Sequence, residues 1–223
     1  MTKYIFYIIF FFITLTVQAQ ITMTTQKEFQ CVVGEIEGKG FIDTTYLAVP
    51  VHIGIESSGY ISIDWGDGTK IKMFKFKKVP LHFYHNYYDT IQYHKITIRS
   101  RNITELDCSF NELTSLDISR NAKLKGLRCT HNQLTSLNLS RNTKLEWLVI
   151  ENNLLSSDSL NFLFETLPNN KSSEWKNITI DKNPGVYDCE TCIAEKKRWS
   201  IYGKPLGLRY GQPIDSKIEN ECE

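Results

Sequence analysis

The chain has 223 residues, 41% of them hydrophobic, with 26 Lys+Arg against 25 Asp+Glu. That length suits one or two domains with a sizeable core, and the apolar share excludes disorder as the main state. The even charge balance excludes a chain-wide basic footprint, so nucleic acid is not an expected partner.

Residues 1–19 come first. Lys3 supplies a positive start, Tyr4 to Val17 is an uncharged run of 14 residues, and Val17-Gln18-Ala19 ends on a small residue. This is the pattern of a secretory signal peptide. The run is short of the ~20 apolar residues that a spanning helix needs. Export is therefore expected, to the periplasm, the cell surface or the medium, with no membrane span left after cleavage. Removing Lys3 leaves 25 basic against 25 acidic residues.

Residues 20–101 form the next expected unit. Val49, Val51, Ile53 and Ile55 alternate, as do Ile61, Ile63 and Trp65, which predicts strands with one buried side. Asp64-Trp65-Gly66-Asp67-Gly68-Thr69 supplies turn chemistry, followed by His85-Asn86-Tyr87 and by Tyr93-His94-Lys95-Ile96-Thr97-Ile98. The Trp-Gly-Asp-Gly-Thr motif with the later His-x-Tyr and the tyrosine-bearing last strand is similar to the PKD-like immunoglobulin-type β-sandwich. The chain departs from that family at one point. The glycine usually found before the last strand is absent, and the segment 88–95 looks one residue longer. Ile96 stands ten residues before Leu106, so this strand is expected to run stiffly into the segment beginning at Leu106, without a Gly/Ser/Pro linker.

From Leu106 the period changes. Leu106-x-Cys108-x-x-Asn111, Leu116-x-Ile118-x-x-Asn121, Leu127-x-Cys129-x-x-Asn132, Leu137-x-Leu139-x-x-Asn142 and Leu148-x-Ile150-x-x-Asn153 start 10, 11, 10 and 11 residues apart. A 21-residue period with a nested half-period results. One such unit cannot bury its apolar side alone, so coils must stack and share a core. The asparagines then belong at the bends, where an amide both donates to and accepts from unpaired backbone. The pattern resembles the nested-period bacterial leucine-rich repeats found in exported proteins of Bacteroidetes. Next comes a helix capped by Ser157, with Leu160, Leu163, Phe164 and Leu167 on one side and Pro168 as its stop. Ile178-x-Ile180-x-x-Asn183 repeats the motif, and Cys189 to Trp199 reads as a short closing helix. These features resemble that family's C-terminal cap. The repeat unit and cap thus span 102–202, with 203–223 as a tail.

Chemistry is sparse. Asp64 and Asp67 are the nearest carboxylate pair, read as a turn bonding its own backbone rather than as acid and base. His82, His85 and His94 invite a metal, but His82 and His85 are three apart in extended chain and point oppositely, so no metal is expected. No nucleophile, zinc-peptidase, phosphate-loop or dinucleotide fingerprint appears, so neither catalytic residues nor cofactors are assigned. Cys108 and Cys129 are expected as stacked buried thiols. Cys189 and Cys192 are the favoured disulfide, with Cys31 and Cys222 as other partners.

Binding candidates lie at exposed repeat positions. On one side are Phe110, Arg128, His131 and Glu151; on the other, Arg120 with Arg141 and Lys123 with Lys144 form a local basic stripe. The whole reads as a mainly β protein: a PKD-like β-sandwich followed by a short leucine-rich-repeat solenoid with a helical C-terminal cap. The expected function is non-enzymatic binding of a protein or glycan. The alternatives are a structural spacer or oligomerising element of the cell envelope, and a polysaccharide hydrolase using Asp64 and Asp67. The repeat register makes a direct prediction. Leu137→Asp places a charge among stacked apolar side chains, and should abolish the cooperative thermal transition seen by circular dichroism. An unchanged melting curve would show that the register is misplaced.

Overall fold

The computed structural model describes residues 20–25, 51–69, 74–87, 93–100, 102–171 and 176–203. The expected signal peptide, Val49, Tyr88, Cys31, Cys222 and residues 204–223 lie outside them. The fold is mainly β. In chain order the strands are β1 (Gln20–Thr25), β2 (Val51–Asp64), β3 (Phe74–His85), β4 (His94–Ser100), β5 (Glu105–Asp107), β6 (Leu113–Asp117), β7 (Gly126–Arg128), β8 (Trp147–Val149), β9 (Lys176–Thr179) and β10 (Trp199–Tyr202). Helix α1 (Ser157–Thr166) lies between β8 and β9, and α2 (Cys192–Glu195) between β9 and β10. Among the described residues, no helix is long and apolar enough to cross a membrane.

β2 is the long element that joins the two halves. Its alternation places Val51, Ile53, Ile55, Ile61 and Ile63 inside, with Trp65 beyond its end also buried. β3 runs antiparallel along one edge. Along the other edge two strands succeed one another: Ile61–Asp64 pair with β4, and Gly54–Glu56 pair with β5. Between them the chain stays bonded to β2. The Thr104 amide donates to the Glu56 carbonyl at 2.8 Å, and the Asn102 side chain donates to the Ser58 carbonyl at 3.3 Å. These are two further hydrogen bonds to the same strand.

β1 completes the joint. It lies antiparallel between β4 and β6, so Met23 faces Ile96 on one side and Leu116 on the other. Met23 is 1% exposed. The first coil thus has both of its sides paired to upstream strands, β5 to β2 and β6 to β1. One sheet and one apolar core run through both halves, which closes an end that a stack of coils would otherwise leave open.

Downstream, β5, β7, β8, β9 and β10 pair in parallel, with Leu106, Leu127, Leu148, Ile178 and Ile201 in register. The first four are fully buried. Each contributes about 2–3 kcal/mol by leaving water. Two expectations at the C-terminal end are corrected. The closing helix is only Cys192–Glu195, and Trp199 starts a further parallel strand with its indole buried. The Trp199 Nε1 donates to the Pro168 carbonyl at 2.9 Å, and the segment lies in parallel register with β9. At α1 the cap is Ser156, not Ser157. Its side chain accepts from the Ser159 amide, and the helix runs to Thr166 with Leu167 as its C-cap, before Pro168.

The expected Cys189–Cys192 pair also departs from expectation, while Cys108 and Cys129 are buried thiols as expected. Cys189 is a buried thiol that donates to the Val186 carbonyl, while Cys192 is disulfide-bonded. The Cys189–Cys192 staple is therefore not formed, and the partner of Cys192 lies outside the described residues. Cys189 faces the core from a turn, which turns its sulfur away from the half-exposed Cys192. Cys108 and Cys129 are buried thiols, and burial pushes both well above the usual thiol range.

The asparagines stitch the coils. Asn132 Oδ1 accepts from the amides of Asn111 at 3.1 Å and Leu113 at 3.0 Å. Its Nδ2 donates to the carbonyls of Cys108, Cys129 and Thr130. Asn153 and Asn183 repeat the arrangement one and two coils later. Asn111 bonds both backbone groups of His52 in β2, which stands to the first coil as a preceding coil. Replacing Asn132 by Ala orphans two buried amides, at ~1–3 kcal/mol each. Urea denaturation should show a loss of about 3 kcal/mol or more for Asn132→Ala, against ~0.5 kcal/mol for Lys144→Ala at the surface.

Candidate functional site

The core side of the sheet is filled, so chemistry must lie on its outer side. Because β2, β5, β7, β8 and β9 bury alternate residues, the intervening ones form two rows across the strands. One row is His82, Gly54, Asp107, Arg128, Val149, Thr179 and Tyr202. The parallel row runs through Glu56, Glu105, Gly126, Trp147, Asn177 and Ser200. Seven strands, from β3 to β10, make this open side roughly 30 Å wide at ~4.8 Å per strand.

Two glycines shape it. A Cβ at Gly126 would lie 2.0 Å from Trp147 Cζ2, so the indole occupies the space that a side chain there would need. Arg128 sits with its guanidinium carbon 6.0 Å from the Trp147 ring centroid, and its Nε is 3.7 Å from Asp107. Cation–π attraction and a loose, half-exposed ion pair together hold the arginine over the sheet. At Gly54 a Cβ would meet Asp107 Cβ at 3.3 Å and His82 Nδ1 at 3.4 Å. His82 leans across this gap toward β2, where its Nδ1 and His52 Nε2 share a hydrogen bond at 2.9 Å. The His52 ring also stacks on Tyr84 at 4.7 Å.

A second aromatic group stands at the adjoining bends. Phe110 and His131 occupy equivalent positions in successive coils, with φ of 60° and 53°, and Asn152 and Lys182 continue the series at 51° and 56°. A left-handed bend costs a bulky residue ~1–2 kcal/mol. Here it carries two rings outward in a stack 4.2 Å apart, Phe110 remaining 60% exposed. Strain and exposure of a large apolar side chain coincide at this bend.

The expected residues divide accordingly. Phe110, Arg128 and His131 belong to the open side, and Glu151, half-buried at the next bend, accepts the His131 amide through its carbonyl. Ser109 and Thr130, beside them in the coils, are buried: the Ser109 hydroxyl accepts the Thr130 amide. Arg120, Arg141, Lys123 and Lys144 are all exposed on the other side of the coils. There the ladder is lost after β6, because residues 134–138 form no strand, and α1 takes the next place. Lys123 is drawn to Asn102, its Nζ donating to Oδ1 at 2.7 Å. Sequence reasoning missed Trp147, Gly126, His52, His82, Tyr84 and Tyr202 on the open side. The pairing of Gly126 with Trp147, the smallest and largest residues 21 apart, was the available signal.

Asp64 and Asp67 close the turn between β2 and β3. Asp64 accepts from the Gly66 amide, and Asp67 from the Thr69 amide at 2.8 Å and hydroxyl at 2.6 Å. His85 Nε2 lies 2.7 Å from the other Asp67 oxygen, and its ring stacks on Trp65. His82 and His85 do point oppositely, and among the described residues no cluster of His, Cys, Asp or Glu could hold a metal ion.

Burial pushes the Asp67 carboxyl up, but the Thr69 and His85 hydrogen bonds outweigh it and hold it at about 2. A folded value below the ordinary 3.8 means stability that is present above pH ~4 and lost as pH falls toward ~2. Acid titration of the unfolding midpoint should therefore show up to about 2 kcal/mol of loss over that window, absent in Asp67→Asn. Retention of the full loss in Asp67→Asn would assign it to other carboxylates. No known protein family, curated protein or solved structure matches the chain.

Proposed function

We propose that the chain is an exported, non-enzymatic binding module, a PKD-like β-sandwich fused to a short leucine-rich-repeat solenoid, whose open strand side holds a protein or glycan. The observation that carries this reading is the outer row of the parallel strands, where Arg128 stacks over Trp147 on the bare backbone of Gly126. Aromatic and arginine side chains at the centre of a patch are the residues on which binding energy concentrates. The flanking Phe110–His131 and His52–Tyr84 stacks add ring surface, already ordered before a partner arrives.

A small, rigid area with few charges suits a partner of matching flatness and moderate affinity. The turn setting of Asp64 and Asp67 supports a structural role for both, in place of hydrolysis. A structural spacer or oligomerising element is the rival that solution behaviour separates.

The test is a binding screen of the purified chain against a panel of extracellular proteins and glycans, with Trp147→Ala and Arg128→Ala beside it. A specific ligand is expected whose affinity falls about tenfold or more in either variant, with unchanged thermal melting. Loss of affinity only in Arg120→Ala with Arg141→Ala would move the site to the other side. A discrete oligomer that binds nothing would replace the binding role with the structural one.

A further inference from the structure

The other side of the coils carries a separate feature. Where the ladder is lost, a groove of about 650 Å³ opens between β6 and residues 136–141. Its volume lies in the range of small-molecule sites. β6 is the terminal strand of its sheet, paired to β1 along one edge, so the groove runs beside its other edge. Leu116 and Leu137 form the buried floor.

The lining above that floor is polar and duplicated. Ser115 and Ser136, Asp117 and Asn138, Ser119 and Ser140 are each 21 residues apart, so similar donors and acceptors face the groove from two successive coils. The duplicates are held alike. Asp117 Oδ1 accepts the Ser119 amide at 2.9 Å, and Asn138 Oδ1 accepts the Ser140 amide at 3.0 Å. These bonds fix both side chains before any ligand enters.

The charges are unequal in a useful way. Hydrogen bonds from the Ser119 side chain and amide, with Arg120 and Lys95 nearby, hold the Asp117 carboxyl below its usual range. It therefore stays ionised, its oxygen held by the Ser119 donors and with the Arg120 cation beside it. Arg141, also in the lining, is exposed and takes part in none of the ion pairs among the described residues. One guanidinium outside those ion pairs, in a cleft whose other polar lining is hydroxyl and amide groups and the Ser119-held Asp117 carboxylate, matches a ligand with many hydroxyls and a carboxylate.

We propose that this groove binds an acidic oligosaccharide, Arg141 holding a uronate carboxylate while the serine and Asn138 groups hydrogen-bond the ring hydroxyls of adjoining sugars. An extended peptide added to β6 fits less well, because alternate peptide side chains need pockets, and the floor here is only two leucines. The site is independent of the open strand side, so either can fail without the other.

Calorimetric titration of the purified chain with trigalacturonate, its methyl ester and a Ser/Glu pentapeptide tests the assignment. Saturable binding of trigalacturonate is expected, weakened about tenfold or more by esterification or by Arg141→Gln. Ser140→Ala should weaken it by a smaller factor, and Lys171→Ala, exposed and outside both sites, by less than about twofold. Absence of saturable binding by a chain that melts cooperatively overturns the proposal. So does equal binding by Arg141→Gln. Preference for the pentapeptide over the saccharide would reassign the groove to strand addition at β6.

Discussion

The structure depends on the pairing of buried backbone groups that stacked bends leave open. A coil that turns every ten or eleven residues exposes amides and carbonyls at each corner, and burial makes each unpaired group costly. The side-chain amide of asparagine meets this need because it accepts and donates in one plane. Asn132 ties five backbone groups from its own coil and the one before. Shorter hydroxyls have a single donor, and ionised aspartate has none. The leucines supply the favourable free energy, while the asparagines supply the register.

The same requirement explains how the stack begins. The first coil has no predecessor, yet Asn111 finds both backbone groups of His52 much as later asparagines find those of the preceding coil. β2 supplies them because it continues past β4 and pairs with β5. β1 does the equivalent for the other side of the coil, with Met23 closing the apolar layer between Ile96 and Leu116. The upstream strands are thus part of the stack's stability, and neither half presents a bare end to the other.

Loss of regular stacking on one side accompanies the second feature. β5, β7, β8 and β9 keep their ladder, which lays flat rows of side chains across the open side. On the opposite side the third position is taken by α1, and the Leu139 amide is met by the Thr166 hydroxyl instead of a strand. A helix is about twice as wide as the strand spacing, and the groove beside β6 lies on this side of the coils.

Much of this was legible in the residues alone. The 21-residue period, the buried leucines, the structural asparagines, the inward alternation of β2 and the turn at Asp64–Thr69 come from spacing and side-chain chemistry, which are local properties. Other features were not local. The extra strand at Trp199 pairs with β9 and its indole bonds Pro168, 31 residues away. The Cys189 thiol faces the core because of how its turn packs, whatever its spacing from Cys192. The open-side cluster joins Tyr84 and His82 of β3 to His52 of β2 and sets Trp147 on Gly126, through pairings that no single segment encodes. Sequence by itself determined which residues must be buried and how the coils repeat, because burial and period act within a few residues. Only the tertiary structure decided which exposed residues meet, because strand pairing brings together positions that the chain keeps far apart.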